Sequence, residues 1–219
     1  MKVRKFLRGQ TLNSISLDRQ SFIHALKILC RRDRDLARIV TQFGAPPFWT
    51  RPPGFGTLVH IILEQQVSLA SARAAYKKLR ATISLLSPEN FLTLTDAALK
   101  RIGFSRQKSA YGRDLARRIV EENLDLRALA NMDDAQVRVK LMHVKGIGIW
   151  TADIYLLMCL RRPDILPRGD LALDAALQKI KRLRARPSAK RVEKIAEKWK
   201  PYRAVAARIL WHYYLNAFV

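Results

Sequence analysis

The sequence predicts an all-α protein. Apolar residues recur at spacings of three and four along most of the chain, which is the period of an amphipathic helix. Serine, threonine or aspartate stands where several of these runs begin, as helix caps do, and Asp33, Thr95 and Asp133 are predicted caps. No stretch alternates polar and apolar residues with the period of a β-strand. A chain of 219 residues, 49% of them apolar, is long enough to bury a sizeable core.

The helices follow from the apolar spacing in chain order. Residues 44–54 are rich in proline and glycine, so they are predicted to be a loop. The remaining runs predict helices near residues 22–29, 33–40, 55–63, 68–79, 97–100, 104–120, 133–142, 150–160, 171–177, 192–199 and 202–218, with one more short helix starting at Pro88. There is no internal repeat. A chain of this length can form one domain or two small lobes, and residues 1–219 are predicted to form one helical unit.

Charge indicates the class of partner. The chain has 41 Lys+Arg against 18 Asp+Glu, a formal net charge of +23, which is far more than solubility requires. A polyanion such as nucleic acid is the economical partner. A membrane surface is disfavoured, because no basic amphipathic helix stands apart at a terminus and no apolar run is long enough to span a bilayer. The N-terminus lacks the apolar core of a signal peptide, so an intracellular protein of the cytoplasm and nucleoid, or of a nucleus, is expected.

Cysteine and histidine provide no metal site. Cys30 and Cys159 are the only cysteines, and both lie in apolar runs that favour buried free thiols. The four histidines are scattered without the spacing of metal ligands. A cluster held by four cysteines is therefore excluded, and no cofactor is predicted.

Two adjacent features carry the predicted chemistry. Residues 144–152 place Gly146 and Gly148 in a tight turn between two helices, where both glycines are expected to allow a positive φ and bare backbone N–H groups can bind a phosphate. An ordinary helix–helix turn is the alternative. Asp170 follows Trp150 by 20 residues, which is room for a helix and a returning loop. From the motif alone, Asp170 is equally a cap of the next helix or a carboxylate that stabilises a positively charged transition state.

These residues resemble the helix-hairpin-helix DNA glycosylase superfamily, and within it the 3-methyladenine DNA glycosylase II branch. The matching stretches are residues 145–152, 169–171 and 199–203, together with Trp211. The resemblance implies a helical core of two lobes with the active-site cleft between them and no N-terminal β domain. The lobes are expected at 55–165, with the helix-hairpin-helix near 134–160, and at 16–54 plus 166–219.

The resemblance also implies a reaction. Asp170 is the expected catalytic residue, and Trp150 and Trp211 are expected to line the base pocket. Bifunctional relatives carry a lysine where Trp150 stands, so a monofunctional enzyme that leaves an abasic site is expected. Its substrate would be double-stranded DNA with alkylated purines such as 3-methyladenine or 7-methylguanine, and the protein would act as a monomer. Of the other carboxylates nearby, Asp174 is expected to be solvated or salt-bridged.

The same resemblance assigns the contacts with DNA. Gln66 is expected to be the wedge that fills the gap left by the flipped base. The other expected DNA-binding residues are Lys145, Gly146, Gly148 and Thr151. Hairpin carbonyls near Val144 and Ile147 are candidates for a structural sodium or potassium ion. Two alternatives stay open: a glycosylase for hypoxanthine, uracil or a mismatched base, and a non-catalytic DNA-binding module built on the same hairpin.

Overall fold

The computed structural model describes residues 16–121 and 124–217, and within these ranges the chain forms twelve α-helices and no β-strand. The all-α prediction is confirmed. The helices are α1 Arg19–Arg32, α2 Arg34–Phe43, α3 Phe55–Glu64, α4 Leu69–Thr82, α5 Pro88–Leu92, α6 Asp96–Ile102, α7 Arg106–Val120, α8 Asp134–Met142, α9 Ile149–Met158, α10 Leu171–Ile180, α11 Ala189–Ala196 and α12 Arg203–Ala217. Short 3-10 helices occupy Ala128–Asn131 and Glu197–Trp199. The basic stretch before Ser16 and the predicted helix end at Phe218 lie outside the described residues.

Most helices begin at a side chain that caps them. In each case a hydroxyl or carboxylate accepts one of the backbone N–H groups that the first turn leaves without a partner. The capping residues are Asp18, Asp33, Ser68, Ser87, Thr95, Ser105, Asp133, Asp170 and Ser188. Short polar side chains at these positions therefore fix where the helices start.

The chain divides into two compact units. The terminal unit comprises residues 16–50 and 156–217, and the central unit comprises residues 51–121 and 124–155. The boundary falls within α9, after Tyr155. Each unit contains its own set of packed helices.

The core of the central unit is built on α3. Most of this helix is apolar and buried, and Leu58, Ile61 and Ile62 have no exposed surface, as expected for a helix largely surrounded by protein. It packs against α4 and α7, and α5 also packs on α7. Phe91 of α5 lies so close to Gly112 of α7 that a Cβ at that position would overlap its ring, at 2.7 Å. The α5–α7 contact therefore requires glycine.

The core of the terminal unit is built on α12, which packs against α1, α2 and α10. Every residue from Ala204 to Leu210 is buried, including Arg208. None of the described helices combines the length and the apolar character needed to cross a bilayer.

Asp33 joins distant parts of the terminal unit. Its side chain is 2% exposed and accepts hydrogen bonds from Trp199 Nε1 at 2.8 Å, Lys198 Nζ at 2.9 Å and Lys181 Nζ at 3.0 Å. Burial opposes ionisation, but the bonds from Lys198, Trp199 and Lys181 prevail and lower the pKa of Asp33 to about 2. The sequence predicts this residue only as the cap of α2; the structure makes it an ionic centre as well.

Some apolar residues that indicate helices in the sequence lie at the surface. Val139 and Met142 are 58% and 47% exposed, whereas Val137 and Leu141, four residues apart, are buried. The buried face of α8 is therefore a narrow stripe. Leu171, directly after Asp170, is 65% exposed.

Candidate active site

Asp170 and Trp211, the expected catalytic residue and one of the expected pocket residues, are in contact in the terminal unit. The indole Nε1 of Trp211 on α12 donates to Asp170 Oδ1 at 3.2 Å. The Leu173 backbone N–H donates to the same oxygen at 2.9 Å. Two donors on one oxygen fix the rotation of the carboxylate. Asp170 is thus both the cap of α10 and a partner of the predicted pocket tryptophan.

The carboxylate lies in a sheltered position. Asp170 is 7% exposed and directly follows Gly169, whose φ of 74° is one that residues with a side chain rarely adopt. Asp174, one turn further along α10, is half-buried. Burial, and next the negative charge of Asp170, raise the pKa of the Asp174 carboxyl, whereas Arg186 lowers it. Asp174 therefore lies within the field of Asp170 rather than in open solvent.

Arg208 holds α12 in place one turn before Trp211. Its guanidinium is fully buried and donates to three carbonyl oxygens, those of Ala204 at 3.0 Å, Leu157 at 3.0 Å and Trp49 at 2.9 Å. Burial lowers its pKa to about 10, so the group keeps its charge at neutral pH. No role for Arg208 was predicted from the sequence. The available signal was an arginine in the otherwise apolar run from Ala204 to Leu210.

The predicted hairpin joins α8 and α9 in the central unit. Gly146 has a φ of 82°, and a Cβ there would overlap the ring of Tyr111. Gly148 has no positive φ, and a Cβ there would meet no atom within 4 Å. The prediction that both glycines supply positive φ is thus wrong for Gly148. Its missing side chain instead leaves the backbone open to close approach from solvent.

The hairpin presents the N-terminus of α9. The first bond of this helix runs from the Ala152 N–H to the Gly148 carbonyl at 3.1 Å. The first N–H groups of any α-helix have no carbonyl four residues earlier within that helix, and they carry the positive end of its dipole. An anion is the natural ligand of such an end.

Helix α7 fixes the other side of the hairpin. Besides the ring contact of Tyr111, Asp114 Oδ2 accepts the Lys145 backbone N–H at 2.8 Å. The same oxygen accepts Arg118 Nε at 2.9 Å. The hairpin is therefore fastened by one aromatic ring and one carboxylate of a single neighbouring helix.

The two adjacent glutamines after α3 have different surroundings. Gln65 turns inward, and its amide nitrogen donates to the Gly146 carbonyl at 2.9 Å and to Thr151 Oγ1 at 3.1 Å. Gln66 is exposed and has a φ of 56°, an uncommon conformation for a residue with a side chain. Thr151 is only 2% exposed. The residue is therefore closed to solvent, and its hydroxyl is occupied by Gln65.

Helix α9 carries one further candidate, Trp150, and two buried polar residues, Asp153 and Tyr155. Trp150 is the second residue of α9 and is partly exposed in the central unit, so its place in the base pocket stays a prediction. Tyr155 is fully buried, and its hydroxyl accepts the Gly54 N–H at 3.2 Å. Asp153 is fully buried and accepts Arg138 Nε at 2.7 Å, as a structural carboxylate does.

Among residues 16–121 and 124–217, no group of three or more histidine, cysteine, aspartate or glutamate side chains converges as a metal site. Cys30 is partly exposed and Cys159 is buried. The only cysteines of the chain are these two, so the residues present do not fit a four-cysteine cluster.

An all-helical chain with a glycine hairpin between two helices, followed by a loop that ends on a capping aspartate, defines a helix-hairpin-helix protein of the glycosylase type. A family model agrees and matches residues 59–201. The chain belongs to the HhH-GPD superfamily of base excision DNA repair proteins.

Individual relatives agree with this assignment. YfjP of Bacillus subtilis (strain 168) is 32% identical over 124 residues, which cover 57% of this chain and 43% of YfjP. The chain thus spans less than half of that relative. The crystal structure of a DNA-3-methyladenine glycosidase from Bacillus halodurans matches with a TM-score of 0.72 and 29% identity, covering 87% of this chain and 88% of that one.

A second solved structure extends the likeness in fold. The Schizosaccharomyces pombe 3-methyladenine DNA glycosylase Mag1, solved in complex with abasic DNA, matches with a TM-score of 0.80 and 24% identity. The match covers 86% of this chain and 95% of that chain. At this identity the likeness supports the fold.

Proposed function

We propose that the protein is a base-excision-repair DNA glycosylase that hydrolyses the N-glycosidic bond of alkylated purines and leaves an abasic site. The observation that carries the proposal is the sheltered carboxylate of Asp170, held through one oxygen by the Leu173 N–H and the Trp211 indole. Membership of the repair superfamily and the DNA-3-methyladenine glycosidase among the structural matches support the same reaction and substrate class.

Asp170 supplies the electrostatic part of the reaction. As the base leaves, positive charge develops on the deoxyribose, and a fixed carboxylate near C1′ lowers the energy of that transition state. Because the two donors to Oδ1 hold the carboxylate before substrate arrives, little reorganisation is needed during the reaction. The carboxylate also orients the water that attacks the sugar.

The tryptophans account for the choice of base. The N–H of Trp211 lies in the plane of its ring and is used by Asp170, so the faces of the ring are the surfaces on which a base would stack. An alkylated purine such as 3-methyladenine is positively charged, and an indole face attracts a cationic ring by about 0.5 to 2 kcal/mol. Trp150 is assigned to the same pocket.

The hairpin and the loop of residues 65–68 between α3 and α4, the wedge loop, hold the duplex. The N-terminus of α9 beside Gly148 binds a phosphate through backbone N–H groups, with Lys145 and Gly146 around it and Thr151 in the first turn behind it. Gln66 enters the gap left by the flipped base. The net charge of +23 attracts the duplex as a whole.

Trp150 determines how the reaction ends. An indole cannot form a Schiff base with the sugar, so water is the nucleophile and the strand stays intact. Incubation of a methylated duplex with the enzyme should give abasic sites, which alkali cleaves, but no nicks before alkali. Trapping of a covalent complex by borohydride would contradict this assignment.

The hairpin carbonyls are further proposed to hold a sodium or potassium ion. Carbonyl oxygens suit such hard cations, and the Val144 carbonyl accepts only the Ile147 N–H, at 3.0 Å, among the backbone bonds of this turn. A carbonyl has a second lone pair for a cation. Crystals soaked in a heavy monovalent cation should show an anomalous peak beside Val144 and Ile147; crystals without that peak would exclude the ion.

The test of the proposed function compares wild type with Asp170→Asn. Asparagine keeps an oxygen that can accept from the Leu173 N–H and from Trp211, and it caps helices well, so these two bonds are kept while the negative charge is lost. Base release from methylated duplex DNA, measured by chromatography in single turnover, should fall by about a thousandfold. Equal release by both proteins would remove Asp170 from catalysis.

Other outcomes separate the alternatives. Release of hypoxanthine, uracil or a mismatched base from defined oligonucleotides, without release of methylated purines, would keep the glycosylase and change its substrate. Tight and salt-sensitive binding with no release from any lesion would identify a non-catalytic DNA-binding module instead.

A further inference from the structure

The loop between α3 and α4 is short and is held at its first residue. Only residues 65–68 separate the two helices. The last turn of α3 is fastened to α7, because Lys108 Nζ donates to the Leu63 carbonyl at 2.7 Å. Beyond that point every residue from Gln66 to Ala70 is exposed, including Val67 and Leu69 at 46% and 48%. The loop is thus held at Gln65, which forms its base, and is open to solvent from Gln66 onward.

The side chain of Gln65 connects this loop to the hairpin. A glutamine amide carries two hydrogens, and here one is used by the Gly146 carbonyl and the other by Thr151 Oγ1. A carbonyl accepts but never donates, so the contact with Gly146 settles which end of the amide is nitrogen. Both donors are used within the protein, and Gln65 cannot also donate to a base. The role of entering the gap is left to Gln66.

The hairpin end of this connection is itself rigid. Gly146 lies against the ring of Tyr111, and the preceding Lys145 N–H is bound by Asp114. Thr151 belongs to the first turn of α9. The Gln65 side chain therefore joins the base of the loop to both the turn and α9, the helix whose N-terminus is proposed to bind a phosphate.

We infer that Gln65 is a positioning residue that couples the wedge loop to the phosphate-binding hairpin, so that a phosphate held at α9 places Gln66 at the gap in the duplex. The inference rests on the proposed function and extends it by separating the roles of the two glutamines. Without the two hydrogen bonds, hairpin and loop would still each meet DNA, but their spacing would no longer be fixed.

The first test needs no DNA. In Gln65→Leu, hydrogen exchange measured by NMR should become about tenfold faster at the amides of Gln65, Lys145 and Ile147, because the loop and the hairpin lose their common restraint. Exchange in the terminal unit should not change. Gln20→Leu, the same substitution at an exposed glutamine of α1, is the matched control. Unchanged exchange at the hairpin in Gln65→Leu would overturn the inference.

The second test measures DNA affinity by fluorescence anisotropy, with one duplex that carries an abasic-site analogue and one undamaged duplex. Gln65→Leu should bind the abasic duplex about tenfold more weakly than wild type and the undamaged duplex within twofold. An equal loss of affinity for both duplexes would mean that Gln65 only maintains the shape of the hairpin, and it would overturn the proposed coupling. A Gln65→Leu/Thr151→Val double variant should bind no more weakly than Gln65→Leu, because both substitutions remove the same contact.

If Gln65→Leu does not fold, Gln65→Asn replaces it in both tests, since its amide is one methylene too short to reach both acceptors. A wild-type protein that shows no preference for the abasic duplex would count against the proposed function, and the exchange measurement would still decide the coupling.

Discussion

The hairpin of the central unit and the carboxylate site of the terminal unit are built in different ways. The hairpin takes its turn from neighbours in sequence: Asp133 caps α8, Gly146 makes the turn and α9 begins at Ile149. Tyr111, Asp114 and Gln65 then hold this turn from elsewhere in the same unit. The carboxylate site brings together residues far apart in the chain, with Trp211 on Asp170 across 41 positions. Its framework spans more still, because Trp199 donates to Asp33 across 166 positions.

This difference separates two requirements of the proposed reaction. Holding a phosphate needs backbone N–H groups at a helix end, which a few adjacent residues can provide. Holding a carboxylate in one orientation inside a protein needs partners from several helices, and these partners exist only after the unit has folded. The turn of the hairpin is thus a local element, which α7 and Gln65 hold in place, whereas the carboxylate site is a tertiary one.

Gly146→Ala is expected to have the largest effect, because it breaks the local element at its one essential position. The positive φ and the overlap with Tyr111 together should lower the free energy of unfolding by about 4 kcal/mol. Gly148→Ala, two residues away with open space around it, should change stability by less than about 0.5 kcal/mol while weakening DNA binding. Urea unfolding and anisotropy measure the two quantities. Equal stability of the two variants would contradict the assigned difference between the glycines.

Asp33→Asn tests the long-range framework. Asparagine still caps α2, but Lys181 and Lys198 lose their common negative partner, so the free energy of unfolding should fall by about 3 kcal/mol. Thermal unfolding by circular dichroism measures the change. Arg38, whose side chain is 65% exposed, supplies the control, and its pair with Asp35 should contribute less than about 1 kcal/mol when Arg38→Ala removes it. A small effect at Asp33 would mean that the terminal unit does not depend on this centre.

The same residue predicts a response to acid. The pKa of Asp33 is lowered to about 2 in the folded protein, so its contribution is complete above the unfolded value near 4 and is lost as the pH falls toward 2. Wild type should lose roughly 2 kcal/mol over this window through Asp33. Comparison with Asp33→Asn isolates the effect, because the variant lacks the group. Parallel pH profiles for the two proteins would contradict the lowered pKa.

Trp211→Phe should have the smallest effect of these variants, and it tests one hydrogen bond, that from Trp211 to Asp170. Phenylalanine keeps an aromatic face but removes the donor to Asp170, so base release in single turnover should slow about tenfold with little loss of stability. Trp199→Phe removes an indole donor from Asp33 in the same unit, and it should instead lower stability while base release from the folded protein stays within twofold. Slower base release in Trp199→Phe with lower stability in Trp211→Phe would contradict the roles assigned to the two indoles.

Much of the local structure was predictable from the sequence. The fold class, the caps at Asp33, Thr95 and Asp133, and the hairpin between two helices are confirmed. These features depend on backbone conformation and on hydrogen bonds between residues two to four apart. The exposure of Val139 was not predictable, because helical periodicity identifies an apolar face but not how much of it a neighbour covers.

The sequence by itself therefore determined the helices, the glycine turn and the candidate carboxylate, since each of these is encoded by neighbouring residues. Only the tertiary structure decided that Trp211 donates to Asp170, that Gln65 turns inward while Gln66 does not, and that Arg208 is buried on three carbonyls. The physical reason is that a hydrogen bond between distant residues depends on how whole helices pack. Packing is a property of the folded chain and leaves no periodic signal in the sequence.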